Sequence, residues 1–307
     1  MRGLFIVKNL ALMNHTLKEW IIATRPWSFP ASAMPVMVTM AWLWSQGLMD
    51  HWWLGALALL NIVLVHAAGN VWSDYFDFKQ GVDAKDTYGV RTLVDGQFTP
   101  RELMRLSIAL QIVAVALGLT MVWFTGLTLL WIGLIGIVLS LLYPPIKYMA
   151  LGDLLIMVCY SVLPMLGVTF ICHDALVPEV LWLAVPVGSI TVSILHGNNT
   201  RDIETDGRAK IHTFAMLTGR RAAIRLYVFE LVLPYLWLIV TTIQGLITPW
   251  ALTACITIPV AVKNIRQALS YDKKGVAALA KLDEASAQLQ LMFSLTLIIG
   301  LVCATLL

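Results

Sequence analysis

The sequence predicts an all-α polytopic membrane protein with nine transmembrane helices in one bundle. The 307 residues are 59% hydrophobic and only 13% charged, and the mean hydropathy is +0.79. Soluble domains carry about 25% charged residues, so a soluble enzyme is excluded. The apolar residues form runs of about 20, the length of a helix that crosses a bilayer. The lysines and arginines lie between these runs or at their ends.

The nine predicted spans follow the apolar runs in chain order. Transmembrane strands are excluded, because such strands have only about 10 residues of alternating polarity. Thr125 and Gly126 separate the third run from the fourth. The predicted spans cover 28–46, 52–72, 103–124, 127–145, 153–172, 180–199, 223–243, 246–264 and 286–306.

The distribution of positive charge predicts the orientation. With nine spans, all 21 lysines and arginines fall on one side of the membrane. The positive-inside rule makes that side, together with the N-terminus, cytoplasmic. We therefore expect a protein of the plasma (inner) membrane with one domain over 1–307, in which 1–27 lie along the bilayer surface. The net charge of +3 gives no nucleic-acid footprint, and the sequence gives no sign of a protein partner.

The cytoplasmic end of span two carries the first candidate site residues. Asn70, Asp74 and Asp77 share one helix face, because they are spaced by four and three residues. Asp83 follows Gly81, where we expect the helix to turn.

The cytoplasmic end of span six carries a second acid stripe. Asn198, Asp202 and Asp206 again share one helix face. The Asn-x-x-x-Asp spacing of the first stripe is repeated four spans later in the same direction. This predicts a weak four-helix internal repeat and places both stripes at the same depth, where they can face each other.

Two facing acid stripes predict a site for a divalent cation and a diphosphate. Solvated helix ends are the alternative for either stripe alone. Clustered carboxylates at a membrane interior need a counter-charge, and oxygen ligands without His or Cys suit Mg²⁺ or Mn²⁺. Mg²⁺ commonly binds carboxylates and phosphate oxygens together. The predicted metal ligands are Asn70, Asp74, Asp77, Asp83, Asp202 and Asp206. The basic side chains expected to bind phosphate are Lys79, Arg91, Lys147, Arg201 and Lys210.

These stretches resemble the motifs of the UbiA superfamily of membrane prenyltransferases over nearly the whole chain. Residues 70–83 are similar to N-x-x-x-D-Y-x-D-x-x-x-G-x-D, and 198–206 to N-N-x-R-D-x-x-x-D. Residues 91–96 resemble R-x-L-x-x-G, and Arg25-Pro26 resembles the pair that precedes span one. Within the superfamily the motifs look most like 1,4-dihydroxy-2-naphthoate polyprenyltransferases of menaquinone synthesis. One departure is 208–213, RAKIHT, where many such enzymes have G-K-x-T.

The resemblance implies a Mg²⁺-dependent transfer of a polyprenyl group to 1,4-dihydroxy-2-naphthoate. The donor is a polyprenyl diphosphate, the lipid tail lies among apolar side chains open to the bilayer, and the products are demethylmenaquinol, diphosphate and CO₂. Asp74 and Asp202 are the expected catalytic acids, and the ring of Tyr143 is placed to stabilise the allylic cation. The amides expected to bind substrate are Asn70, Asn198 and Asn199.

Three alternatives are weighed against this function. The first is a prenyltransferase for another aromatic acceptor, such as 4-hydroxybenzoate. A transporter is less favoured, because transporter sites lie near the bilayer midplane on broken helices. A CDP-alcohol phosphotransferase is disfavoured, because no D-G-x-x-A-R run is present. We interpret His66, His196 and Glu230 as packed or hydrogen-bonded structural residues. The alternatives are that either histidine contacts the aromatic acceptor or assists its deprotonation, and that Glu230 is a functional intramembrane acid.

Overall fold

The structure is a computed structural model that describes residues 15–83 and 92–306. The prediction of an all-α polytopic membrane protein is confirmed. The α-helices are α1 (Leu17–Ala23), α2 (Pro30–Gln46), α3 (Trp52–Gln80), α4 (Pro100–Thr125), α5 (Leu127–Leu141), α6 (Tyr143–Lys147), α7 (Gly152–Met157), α8 (Leu163–His173), α9 (Leu181–Arg201), α10 (Ile203–Arg208), α11 (Phe214–Thr218), α12 (Arg220–Ile243), α13 (Ile258–Leu269), α14 (Tyr271–Lys274) and α15 (Leu282–Cys303).

Six helical segments of the described chain are long and apolar enough to cross a membrane. They are Trp52–Gln80, Pro100–Thr125, Gly152–His173, Pro178–Arg201, Arg220–Ile243 and Leu282–Cys303. Shorter helices lie where the other three spans were predicted: α2 with 17 residues, α5 with 15, and a 3₁₀ segment Pro249–Thr257 that continues into α13. Residues 15–83 and 92–306 thus contain about six to nine apolar helices, and the predicted nine is the upper end of that range.

Two predicted spans end differently in the structure, for identifiable reasons. The helix of the second predicted span extends beyond residue 72 to Gln80 and includes the acid stripe. Gly81, with φ 71°, then ends this helix. The fourth stops at Leu141, since Pro144 and Pro145 have no N–H to extend the ladder. They begin the separate short helix α6 instead.

The N-terminal part of the described chain lies beside α3. Thr16 and Glu19 form a capping box that starts α1. Ala23 packs in a small buried cluster with Val71 and Leu103 of α3 and α4, while Leu17 and other apolar side chains of α1 remain exposed. This amphipathic pattern suits a segment at a membrane surface. The role predicted for 1–27 stays a prediction, and residues 1–14 lie outside the described residues.

A π-helical turn, Val158–Val162, joins α7 to α8 where α9 packs closely against it. Gly188 of α9 makes this approach possible. A Cβ atom there would lie 2.4 Å from Met157 Sδ and 2.8 Å from Ser161 Cβ. Small residues of this kind allow helix backbones to approach in membrane proteins.

Gly188→Ala is expected to lower the free energy of unfolding by about 1–2 kcal/mol, because the added methyl overpacks this contact. Reversible unfolding in mixed micelles measures the change. Gly133→Ala is the matched control, since a Cβ at Gly133 meets nothing within 4 Å. Equal stability of the two variants would contradict the close packing.

Candidate active site

Asp77 is the centre of the polar contacts at the cytoplasmic end of α3. Lys147 of α6 places Nζ 3.2 Å from its Oδ2, and the Tyr148 hydroxyl donates to its Oδ1 at 2.6 Å. Ser73, one turn earlier, donates to Oδ2 at 3.1 Å. The double proline that ends the preceding helix also places α6 beside α3. Asp77 is buried, and these partners satisfy both of its carboxylate oxygens.

Asp206 of α10, in the second acid stripe, lies within electrostatic range of the same lysine. Burial raises the pKa of Asp206 to about 7; the positive charge of Lys147 lowers it in part, and the negative charges of Asp202 and Asp77 raise it further. Lys147 therefore lies within electrostatic range of acids from both stripes. Burial alone would lower the pKa of Lys147, but Asp77 and Asp206 hold it above its ordinary value.

Asp83 is a further carboxylate within electrostatic range of Asp77. We call the acids of the two stripes together with Asp83 the acidic cluster. Burial, and then the charge of Asp77, raise its pKa to about 6, against the lowering effects of Arg25 and Lys147. The three carboxylates of Asp77, Asp83 and Asp206 thus outnumber the two cations Lys147 and Arg25, which favours the binding of additional cations.

Asp74 points toward the N-terminal segment and forms an ion pair with Arg25. Arg25 has the left-handed backbone conformation, φ 56°, which is strained for a residue with a side chain and is characteristic of functional sites. Oδ2 of Asp74 is buried without a hydrogen-bond partner among the described residues. A metal ion is one partner that satisfies such an oxygen.

The second stripe is held in a bend between α9 and α10. Asp202 separates the two helices and accepts from Arg201 Nε at 2.8 Å and Nη2 at 2.7 Å. Arg220 supports the bend, because its Nε donates to Thr200 O at 3.0 Å and its Nη1 to Glu204 Oε1 at 2.7 Å. Asp202 is thereby presented at the turn of the chain.

Arg201 is buried among protein partners, although the sequence predicted a phosphate ligand. Besides Asp202, its guanidinium contacts Asn198 Oδ1 at 2.8 Å and Asp283 Oδ2 at 3.3 Å. These contacts tie α9 to the start of α15. Its phosphate role stays a prediction.

The remaining predicted residues lie around this centre. Asn70 donates to Thr24 O at 2.9 Å and Ser28 Oγ at 3.0 Å, which binds α3 to the N-terminal segment. Asn199 donates to Asp153 at 3.4 Å. Lys79 and Lys210 are exposed, Tyr143 lies within electrostatic range of Lys147 and Asp77, and Arg91 lies outside the described residues.

Reasoning from the sequence missed Arg25 and Tyr148 as members of the site. A signal for Arg25 was present in the Arg-Pro pair before the first span. Tyr148 had only its position next to Lys147. Neither contact follows from helix periodicity, because Tyr148 meets an acid 71 positions away.

Arg25→Gln is expected to lower the free energy of unfolding by about 2 kcal/mol, because Asp74 then keeps a buried charge without its counter-ion. Adding Asp74→Asn to this variant should restore most of the loss. Unfolding of the two single variants and the double variant gives the coupling energy. Strictly additive effects would contradict a direct ion pair.

The geometry can be compared with known proteins. Residues 32–305 match the model of the UbiA prenyltransferase family. The chain belongs to this family. It is 33% identical over 298 residues to the mouse UbiA prenyltransferase domain-containing protein 1, covering 95% of this chain and 86% of that protein. The human protein of the same name is 34% identical over 293 residues, covering 93% and 84%.

Solved structures share the UbiA fold. An apo UbiA homologue from Aeropyrum pernix K1 superposes with a TM-score of 0.68 at 14% identity, covering 94% of this chain and 99% of that one. A UbiA homologue from Archaeoglobus fulgidus bound to DMAPP and Mg²⁺ gives a TM-score of 0.55 at 15% identity, covering 91% and 99%. The fold class predicted for this UbiA-family chain is therefore confirmed.

Proposed function

We propose that this protein transfers a polyprenyl group from a polyprenyl diphosphate to 1,4-dihydroxy-2-naphthoate, releasing diphosphate and CO₂ and forming demethylmenaquinol. The observation that carries the proposal is that Lys147, which pairs with Asp77 of the first stripe, also lies within electrostatic range of Asp206 of the second. Family membership supports prenyl transfer. The naphthoate-type motifs at 70–83 and 198–206 support the acceptor.

Mg²⁺ is the proposed cofactor. The donor set consists of carboxylate and amide oxygens, which Mg²⁺ prefers, and the unpartnered Oδ2 of Asp74 fits a missing cation. The proposed ligands are Asn70, Asp74, Asp77, Asp83, Asp202 and Asp206. Bound there, Mg²⁺ neutralises the charge that develops on the diphosphate as its bond to the prenyl carbon breaks.

The protein's own side chains position the donor and stabilise the charges. Lys147, which is half-buried, supplies a positive charge to a diphosphate oxygen through a charge-assisted hydrogen bond. Tyr143 lies within electrostatic range of Lys147. Its proposed role is to stabilise the allylic cation with the face of its ring. Outward apolar side chains such as Trp123 and Trp131 suit a bilayer that also holds the lipid tail of the donor.

The proposed location is the plasma (inner) membrane, with the acidic cluster at the cytoplasmic face. The one-sided distribution of lysine and arginine supports this orientation. A water-soluble aromatic acceptor then reaches the cluster from the cytoplasm, while the prenyl chain enters from the bilayer.

The acceptor is tested by product mass spectrometry. Membranes containing the protein are incubated with Mg²⁺, a defined polyprenyl diphosphate, and either 1,4-dihydroxy-2-naphthoate or 4-hydroxybenzoate. We expect a prenylated product from the naphthoate whose mass shows the loss of CO₂. Prenylation of the benzoate alone would overturn the acceptor while leaving prenyl transfer intact. Uptake of substrate without turnover would instead favour a transporter.

A further inference from the structure

Outside the acidic cluster, three side chains that bind metals in other proteins converge from three helices. Asp153 lies at the start of α7, His196 on α9 and Glu230 on α12. One ligand atom from each lies within 4.8 Å of the other two. His196 is 0% exposed and Glu230 6%. Among residues 15–83 and 92–306, no other group of three or more His, Cys, Asp or Glu meets this distance criterion.

A hydrogen bond on one side of the His196 ring determines which ring nitrogen carries a proton. Nε2 lies 3.0 Å from Ala223 O, and because a carbonyl only accepts, Nε2 carries a proton. In the neutral ring Nδ1 then has a lone pair. It lies 2.7 Å from Asp153 Oδ2 and 3.7 Å from Glu230 Oε1. Nδ1 thus lies at hydrogen-bonding distance from one carboxylate and close to a second, so either a proton or a metal ion must lie between these three groups.

Glu230 provides an independent observation that points to a ligand. Its Oε2 is buried without a hydrogen-bond partner among the described residues, which is unfavourable in the interior of a membrane protein. Asp153 is oriented from outside, because its Oδ1 accepts from Asn199 Nδ2 at 3.4 Å. A backbone carbonyl on the histidine and an amide on the carboxylate are the supports that surround metal ligands in proteins.

We propose that Asp153, His196 and Glu230 bind a divalent transition-metal ion of the zinc class, separate from the Mg²⁺ of the acidic cluster. One imidazole nitrogen and two carboxylate oxygens form a ligand set that zinc accepts. A tetrahedral ion with bonds of about 2.1 Å separates its ligand atoms by roughly 3.3 Å. The distances of Nδ1 from the two carboxylates, 2.7 and 3.7 Å, lie on either side of that value. The bound ion joins α7 and α12 to α9, the helix that carries the second acid stripe.

Zinc retention by the purified full-length protein tests the site. The protein is treated with chelator, given Zn²⁺, and passed through gel filtration in buffer containing Mg²⁺. We expect about one Zn²⁺ per chain to remain. The X-ray absorption spectrum should show an imidazole among nitrogen and oxygen ligands at about 2.0–2.1 Å. His196→Gln and Glu230→Gln should each lower the Zn²⁺ affinity at least ~10- to 100-fold.

Asp77→Asn and Asp272→Asn are the control variants, because neither residue belongs to the three-helix site; both should retain Zn²⁺. Loss of Zn²⁺ from the wild type, or equal retention by the His196 and Glu230 variants, would overturn the proposal and leave a protonated imidazole as the positive centre. If those variants fail to fold, the wild-type spectrum decides: sulfur ligands, or no imidazole, would refute the site. None of these measurements uses the prenyl donor or the acceptor, so the result is independent of the proposed reaction.

Discussion

Asp77→Asn and Asp206→Asn are each expected to lower kcat by about 10²- to 10³-fold, the loss typical when one preorganised charge-stabilising group is removed. Each substitution removes one carboxylate charge from one side of the shared centre at Lys147. The rate of prenyl transfer at saturating donor and acceptor measures the effect. Asp74→Ala and Asp202→Ala should lose activity in the same way if their predicted ligand roles are correct.

Asp272→Asn is the matched control for these acids. Asp272 is an exposed carboxylate that pairs with Arg221 at 3.3 Å, so its loss changes net charge by the same amount without touching the cluster. We expect this variant to keep full activity. Normal turnover by both Asp77→Asn and Asp206→Asn, in correctly folded protein, would remove the acidic cluster from the mechanism.

Chelation of divalent cations with EDTA is expected to abolish turnover, and Mg²⁺ is expected to restore it. The physical reason is the surplus of buried carboxylates, which repel a diphosphate unless cations neutralise them. Zn²⁺ alone should not substitute, because the cluster offers oxygen ligands without histidine or cysteine. The initial rate is measured against free Mg²⁺ concentration.

The control for this experiment is the addition of Mg²⁺ after EDTA. The rate should then return, which shows that the protein has not denatured. A rate that is the same with and without chelator would exclude a divalent cation from the reaction.

Much of the fold could be predicted from the sequence because it depends on short-range patterns. Apolar runs set the helices, and the end of α3 at Gly81 followed from the glycine after the acid stripe. The two acid stripes followed from the 3.6-residue period. Asp77 and Asp206 lie within electrostatic range of each other, and a ligand shared by the two stripes stays a prediction.

The remaining contacts could not be predicted from short-range sequence patterns, because they join distant parts of the chain. Lys147 meets an acid 70 residues away, and the partner of Asp74 comes from the segment before the first span. In the sequence Glu230 is an isolated acid within an apolar run, and His196 lies two residues before Asn198 of the second acid stripe. Only the packing of α7, α9 and α12 brings them together with Asp153.

A shared site between the two acid stripes is tested by a structure of the protein with Mn²⁺ and a prenyl diphosphate, using the anomalous signal of manganese. We expect Mn²⁺ bound by at least one carboxylate oxygen from each acid stripe, Asp77 or its neighbours on one side and Asp202 or Asp206 on the other, with Lys147 on the diphosphate. Manganese bound by acids of a single stripe, with the other stripe out of reach of the diphosphate, would contradict the shared site.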